Sequence, residues 1–122
     1  YARAANGIGF RQERPPKAVL KDFRDGSTGP GKLRGQVGFL QSYPSSVPRL
    51  MAAYPSITTP VLVLHGEYDT FVAMSNSKRL SELLPNSAFA VIPDAAHYSW
   101  EDNVEAYLQH VLDRTAKVES GN

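Results

Sequence analysis

The 122-residue sequence contains no cysteine. Disulfide bonds, thiolate metal sites and a cysteine nucleophile are therefore excluded for this chain. The sequence also has almost no charge imbalance, since 13 basic and 12 acidic residues leave a net charge of +1 with neutral histidines. No strong field of one sign points to nucleic acid or to an anionic membrane, and we expect neither as a partner.

Long apolar runs are missing as well. No segment approaches the roughly 18 consecutive apolar residues of a transmembrane helix, and no signal-peptide pattern is present, so we expect a cytoplasmic protein. Hydrophobic residues make up 42% and charged residues 20% of the sequence, which is typical of a globular protein. The chain begins with Tyr1 rather than Met, so we expect a fragment or a processed form.

The first 54 residues have the pattern of short helices. Residues 26–31, Gly-Ser-Thr-Gly-Pro-Gly, have a composition typical of a loop. Apolar residues recur at helical spacing on both sides of this loop, at residues 19–23 before it and 33–40 after it. We therefore predict two or three short helices joined by loops over residues 16–54.

The remaining residues, 55–122, alternate between strand and helix patterns. Residues 61–65 and 88–92 are short apolar runs, as expected of strands buried on both faces in a parallel sheet. Amphipathic helices are predicted over residues 74–84 and from Asp102, as N-cap, onward. Strand, helix, strand, helix in this order predicts a βαβα unit with a right-handed crossover.

A carboxylate and an imidazole follow the two predicted strands. Asp69 lies four residues beyond the first strand and His97 five residues beyond the second. Neighbouring parallel strands are about 5 Å apart, so the two loops should lie side by side at one edge of the sheet. The carboxylate could then orient the imidazole that takes a proton from a nucleophile. The alternative is structural, since Asp often serves as a turn residue.

Residues 60–69, Pro-Val-Leu-Val-Leu-His-Gly-Glu-Tyr-Asp, resemble the late strand and acid turn of the α/β-hydrolase superfamily. Residues 77–85 resemble its helix that ends in Leu-Leu-Pro, and residues 91–97 resemble its last strand and histidine loop. The resemblance implies an α/β fold class, namely the C-terminal part of an α/β-hydrolase with parallel strands flanked by helices.

The same resemblance implies a hydrolase with Asp69 as catalytic acid and His97 as general base. It implies no cofactor and a small-molecule substrate with an ester, amide, epoxide, lactone or similar bond. Metal-ligand spacing is absent from the three histidines, so we expect no metal. The resemblance also implies that residues 1–54 are a helical cap-like segment with the return to the core, and that residues 55–122 are the C-terminal part of that core.

Two departures from the family pattern stand out. The histidine loop usually reads Pro-Gly-x-Gly-His, whereas residues 93–97 read Pro-Asp-Ala-Ala-His. A position there that needs positive φ would be strained in a non-glycine residue, although Asp tolerates it better than most. The second departure is that no Gly-x-Ser-x-Gly elbow occurs, the nearest segment being 25–29 with Asp in the first place.

Since the family order is nucleophile, acid, histidine, we expect the nucleophile upstream of Tyr1, where it could be Ser, Asp or Cys. An alternative is a catalytically inactive fragment or a non-enzymatic interaction module that retains the fold. Another alternative is that the same catalytic residues carry out lyase, peroxidase or thioester chemistry, because one fold hosts many reactions. The sequence leaves the oligomeric state open.

Overall fold

The computed structural model of the protein describes residues 9–11 and 15–121. In chain order, the described helices and strands are α1 (Lys17–Ser27), α2 (Lys32–Ala53), a 3₁₀ turn (Tyr54–Ser56), β1 (Val61–Gly66), α3 (Met74–Leu83), β2 (Ser87–Ile92), α4 (Ser99–Asp102) and α5 (Val104–Glu119). The predicted strand–helix–strand–helix order is therefore present after residue 55. In the part of the chain that the structure describes, no helix is both long and apolar enough to cross a membrane.

The two strands pair in parallel, with Val61 opposite Ser87 and Gly66 opposite Ile92. Helix α3 is the crossover between them, and both α3 and α5 pack against the strands. Parallel strands need such a connection because the end of the first strand and the start of the second lie at opposite edges of the sheet. The pairing therefore places the loops that follow β1 and β2 at the same edge, as predicted.

The buried core consists of residues from the two strands, from the end of α3 and from the loop that follows β2. Val63 of β1, Ile92 of β2 and Leu84 at the end of α3 are buried. Ala95 and Ala96 extend the core into the loop after β2, where they are 0% and 3% exposed. The histidine loop is thus part of the packed interior, which limits the positions that its residues can take.

The predicted start of the last helix is wrong. Helix α5 begins after Asn103, whose Oδ1 accepts a hydrogen bond of 3.2 Å from the backbone N–H of Ala106. Asp102 closes the short helix α4 instead. Its Oδ2 atom accepts hydrogen bonds from two backbone N–H groups outside α5, those of Arg11 and Ala96.

Helix α2 is not one of the short helices predicted over residues 16–54. It has 22 residues and continues through both Pro44 and Pro48. Each proline removes one backbone donor and favours a helix end. The local preference of these prolines is overridden here, and the segment forms one helix.

Candidate active site

Strand β1 ends at Gly66, directly against the histidine loop. A Cβ atom built on Gly66 would lie 2.7 Å from the carbonyl oxygen of Ala95 and closer still to that of Ala96. Only a residue without a side chain lets the two segments approach to this distance. The Gly66 carbonyl then accepts a 3.0 Å hydrogen bond from the N–H of Asp69, which closes the acid turn.

Three hydrogen bonds join the acid turn to the histidine loop beyond the ends of the strands. The N–H of Glu67 donates to the carbonyl of Ile92 at 3.0 Å, and that of Tyr68 donates to Ala95 at 2.8 Å. In return, the Glu67 carboxylate accepts a 3.1 Å hydrogen bond from the N–H of Asp94. The two loops are therefore held side by side, as their positions after parallel strands predicted.

Asp69 and His97 meet at this edge. The Oδ2 atom of Asp69 lies 2.9 Å from Nδ1 of His97. The side chain of Asp69 is 6% exposed, whereas that of His97 is 35% exposed. An ionised carboxylate can only accept, so the proton of the neutral imidazole lies on Nδ1 and the lone pair on Nε2. Within the described residues, Nε2 has no hydrogen-bond partner.

Backbone donors keep the carboxylate charged. Its Oδ1 atom accepts hydrogen bonds from the N–H groups of Phe71, at 2.8 Å, and Val72, at 3.0 Å. Burial by itself would raise the pKa of Asp69, but the hydrogen bonds from His97, Val72 and Phe71 outweigh it and hold this pKa below its ordinary value of 3.8. Asp69 is therefore ionised at neutral pH, which fixes the tautomer of His97.

Two aromatic rings flank the imidazole. The ring of Phe71 lies 5.0 Å from that of His97, and the ring of Tyr98 lies 5.3 Å away, both edge-on. Tyr98 in turn contacts Phe10 at 4.7 Å and Phe23 of α1 at 4.5 Å. Burial raises the pKa of the Tyr98 hydroxyl. Through these rings, the N-terminal half of the chain contacts the residue next to His97.

Asp102 ties the histidine loop to the N-terminal segment. Its Oδ2 atom accepts from the N–H of Ala96 at 2.8 Å and from the N–H of Arg11 at 2.9 Å. The N–H of Tyr98 donates to the carbonyl of Gly9 at 2.9 Å, so both residues that flank His97 are anchored. The sequence pattern did not reveal this, because an Asp before an amphipathic run is also typical of a helix cap.

The loop also contains the backbone strain that its lack of glycine suggested. Asp94 has a φ of 52°, in the left-handed region, and it is the one non-glycine residue with positive φ among those described. Aspartate is one of the few side chains that tolerate this conformation. The preceding carbonyl, of Pro93, accepts a 3.0 Å hydrogen bond from the side-chain amide of Asn103.

A cavity of about 330 Å³ opens beside the pair. Asp69 and His97 line it, together with apolar side chains such as Leu64 and Trp100. Its wall contains a second polar pair, His65 and Ser77, whose Nδ1 and Oγ atoms are 2.9 Å apart. The sequence placed His65 at the end of a strand but gave no sign of this partner. No cluster of three or more potential metal ligands is found in residues 9–11 and 15–121.

Comparison with known proteins identifies the class. Residues 2–104, which are most of the chain, match the family described as the alpha/beta hydrolase fold. The chain therefore belongs to this family, and the fold class predicted from the sequence is confirmed.

Three of the similar proteins are named as hydrolases. A 64-residue segment is 33% identical to 2-(acetamidomethylene)succinate hydrolase of Mesorhizobium japonicum and covers 52% of this chain and 23% of that protein. The structure superposes on a serine hydrolase involved in carbazole degradation with a TM-score of 0.74, at 15% identity, over 94% of this chain and 46% of the other. For 2-hydroxy-6-oxo-6-phenylhexa-2,4-dienoate hydrolase from Rhodococcus sp. strain RHA1, the TM-score is 0.73 at 19% identity, over 94% and 43%. The chain thus spans less than half the length of each of these proteins.

Proposed function

We propose that this chain supplies the catalytic acid, Asp69, and the general base, His97, of a cofactor-independent α/β-hydrolase. The observation that carries the proposal is their 2.9 Å hydrogen bond, which joins a buried carboxylate to a half-buried imidazole. This bond leaves the basic Nε2 atom of His97 without a partner in the described part of the chain. That is the arrangement an imidazole needs in order to accept a proton from a nucleophile.

The proposed chemistry follows from the tautomer. Nε2 of His97 takes the proton of a hydroxyl nucleophile as its oxygen attacks the scissile carbonyl, and Asp69 stabilises the resulting imidazolium. The imidazolium then returns the proton to the leaving group, and a water molecule repeats the cycle to release the acid. With a carboxylate nucleophile, as epoxides or carbon–halogen bonds require, His97 instead activates the water of the second step.

We propose that the nucleophile and the oxyanion donors lie on a segment outside this sequence, since the 122 residues contain no Gly-x-Ser-x-Gly elbow. The proposed substrate is a small organic molecule with an ester, amide, epoxide, lactone or similar bond. Two of the similar proteins are named for substrates that are small organic acids, a succinate derivative and a dienoate. This similarity favours an organic acid within the broader class.

We also propose that residues 1–54 act as a helical cap segment and residues 55–122 as the core that holds the acid and the base. The packing of Phe10 and Phe23 on Tyr98, next to His97, supports this division. A cap in this place would form part of the substrate pocket and exclude water from the reacting atoms.

The test is hydrolysis of p-nitrophenyl acetate and butyrate by the protein that joins this chain to its nucleophile-bearing segment. His97→Ala and Asp69→Asn, which favours the wrong tautomer, should each lower kcat/KM by about 10⁴-fold, and the loss in His97→Ala should be the larger of the two. His110→Ala is the matched control, because it removes an imidazole of α5 that does not line the described cavity. Undiminished hydrolysis by the His97→Ala protein would contradict the proposal.

One observation favours the second candidate, a non-enzymatic interaction module. Helix α2 exposes large apolar side chains, with Leu33 71%, Phe39 62% and Leu40 61% exposed. The sheet of the described residues has two strands, so each strand has one unpaired edge. Exposed apolar surface and open strand edges both favour association. Sedimentation of the chain over a range of concentrations, with Phe39→Ser as the comparison, tests this candidate. A wild-type chain that stays monomeric throughout would argue against it.

A further inference from the structure

Two imidazoles, not one, line the cavity of the proposed site. His97 reaches it from the loop after β2, and His65 reaches it from β1, one residue before Gly66. His65 is 4% exposed, so more than nine tenths of the residue is buried. Its Nδ1 atom lies 2.9 Å from the hydroxyl oxygen of Ser77 on α3. The proposed acid–base chemistry makes no use of this second pair.

The direction of the His65–Ser77 hydrogen bond decides what His65 offers to the cavity. The 2.9 Å contact allows the Ser77 hydroxyl either to donate its proton to Nδ1 of His65 or to accept a proton from it. A neutral imidazole has one N–H group. With Nδ1 accepting, that N–H group is on Nε2, which has no hydrogen-bond partner in the described part of the chain.

With Ser77 as the donor, His65 and His97 hold opposite tautomers. Asp69 accepts the Nδ1 proton of His97 and leaves its Nε2 as an acceptor. In this arrangement Ser77 donates to Nδ1 of His65 and leaves its Nε2–H as a donor. The same cavity thus has a proton acceptor in one wall and a hydrogen-bond donor in another, each fixed by its own neighbour.

We propose that His65, held in its Nε2–H tautomer by Ser77, binds a carboxylate group of the substrate in the cavity that His97 lines. A carboxylate is the ligand that such a donor favours, because a hydrogen bond to an ionised oxygen is about twice as strong as a neutral one. The competing carboxylate in the wall, Asp69, already accepts hydrogen bonds from His97 and two backbone N–H groups. A volume of about 330 Å³ accommodates a small organic acid. The inference deepens the proposed function and rests on it for the identity of the bound acid as substrate.

Long-range ¹H–¹⁵N correlation spectra of the ¹⁵N-labelled chain test the tautomers directly, with His110→Ala assigning the third imidazole. We expect the Nε2–H form for His65 and the Nδ1–H form for His97. Ser77→Ala should convert His65 to a mixture of tautomers, and Ser77→Thr, which retains a hydroxyl, should restore the Nε2–H form. A His65 that carries its proton on Nδ1 in the wild-type chain would overturn the inference.

Titration with sodium butyrate, against sodium chloride at equal ionic strength, tests the binding. We expect a saturable shift of the His65 Nε2–H signal with butyrate and none with chloride. In Ser77→Ala the dissociation constant should rise by the inverse of the remaining Nε2–H fraction, which is about twofold for an even mixture of tautomers. A response confined to His97, or one that chloride reproduces, would refute binding at His65. These measurements need no turnover, so they stand apart from the proposed function. His97→Ala should abolish hydrolysis yet leave the tautomer of His65 unchanged.

Discussion

Replacing Gly66 by Ala tests whether the close packing of β1 against the histidine loop positions the acid–base pair. The new Cβ atom would lie 2.7 Å from the carbonyl oxygen of Ala95 and nearer still to that of Ala96. Both obstacles are backbone atoms, which cannot turn aside as a flexible side chain would. Overpacking of this kind costs about 1–3 kcal/mol, and we expect about 3 kcal/mol because two carbonyl groups must move together. The melting temperature should fall by roughly 10 °C.

The assay is urea unfolding followed by circular dichroism, with amide chemical shifts of Ala96 and His97 measured on the folded protein. The matched control is Gly38→Ala in α2, where an added Cβ meets nothing within 4 Å. That change should stabilise the protein by about 0.5–1 kcal/mol, because Ala loses less backbone entropy than Gly in a helix. A Gly66→Ala protein within about 0.5 kcal/mol of wild type, with an unmoved His97 amide, would refute the reasoning.

Three further predictions concern the loops around His97. Asp102→Ala should destabilise the protein by about 1–3 kcal/mol and speed hydrogen exchange at Ala96, because it removes an acceptor of two backbone N–H groups. Asp102→Asn keeps one accepting oxygen and should recover most of the loss, so an equal loss in both variants would count against the assignment. Asp69 has a lowered pKa in the folded state, so its ionised form stabilises the fold above pH 3.8 and this contribution is lost as the pH falls through the folded value. The unfolding free-energy difference between wild type and Asp69→Asn should therefore shrink below pH 3.8, and a difference that is constant with pH would disprove this. Asp94→Ala should be about 1 kcal/mol less stable than Asp94→Gly, because φ is 52° there, and equal stabilities in urea would show that the position is unstrained.

The βαβα unit could be predicted from the sequence almost to the residue. The predicted strands at 61–65 and 88–92 correspond to Val61–Gly66 and Ser87–Ile92. The continuous apolar runs of the strands and the one-sided apolar spacing of the helices differ in period, so each type is visible locally. The strands are nevertheless less buried than predicted, since in β2 only Ile92 is fully buried. Helix α2 was less predictable, since Pro44 and Pro48 are strong local signals for an end that the helix does not have.

The positions of Asp69 and His97 were predictable because both follow directly from the ends of paired strands. Their supports were not, since these depend on partners far apart in the chain. Asp102 accepts a hydrogen bond from the N–H of Arg11, 91 residues away, and His65 is hydrogen-bonded to Ser77 where α3 packs on β1. The apolar periodicity of the sequence carries no information about such distant pairs. Whether an Asp caps a helix or binds a distant amide is decided by the fold.

The histidine loop lacks both glycines of the family pattern, and the structure shows how each of the two positions accommodates another residue. The family pattern has glycine at the places of Asp94 and Ala96, yet positive φ occurs in this chain at Asp94 alone of the two. Aspartate meets that requirement at small cost, and its N–H is satisfied by Glu67. Ala96 has no positive φ, and its carbonyl lies against Gly66. Gly66 has no side chain, so the glycine that this contact needs lies on the strand and the loop can carry an alanine.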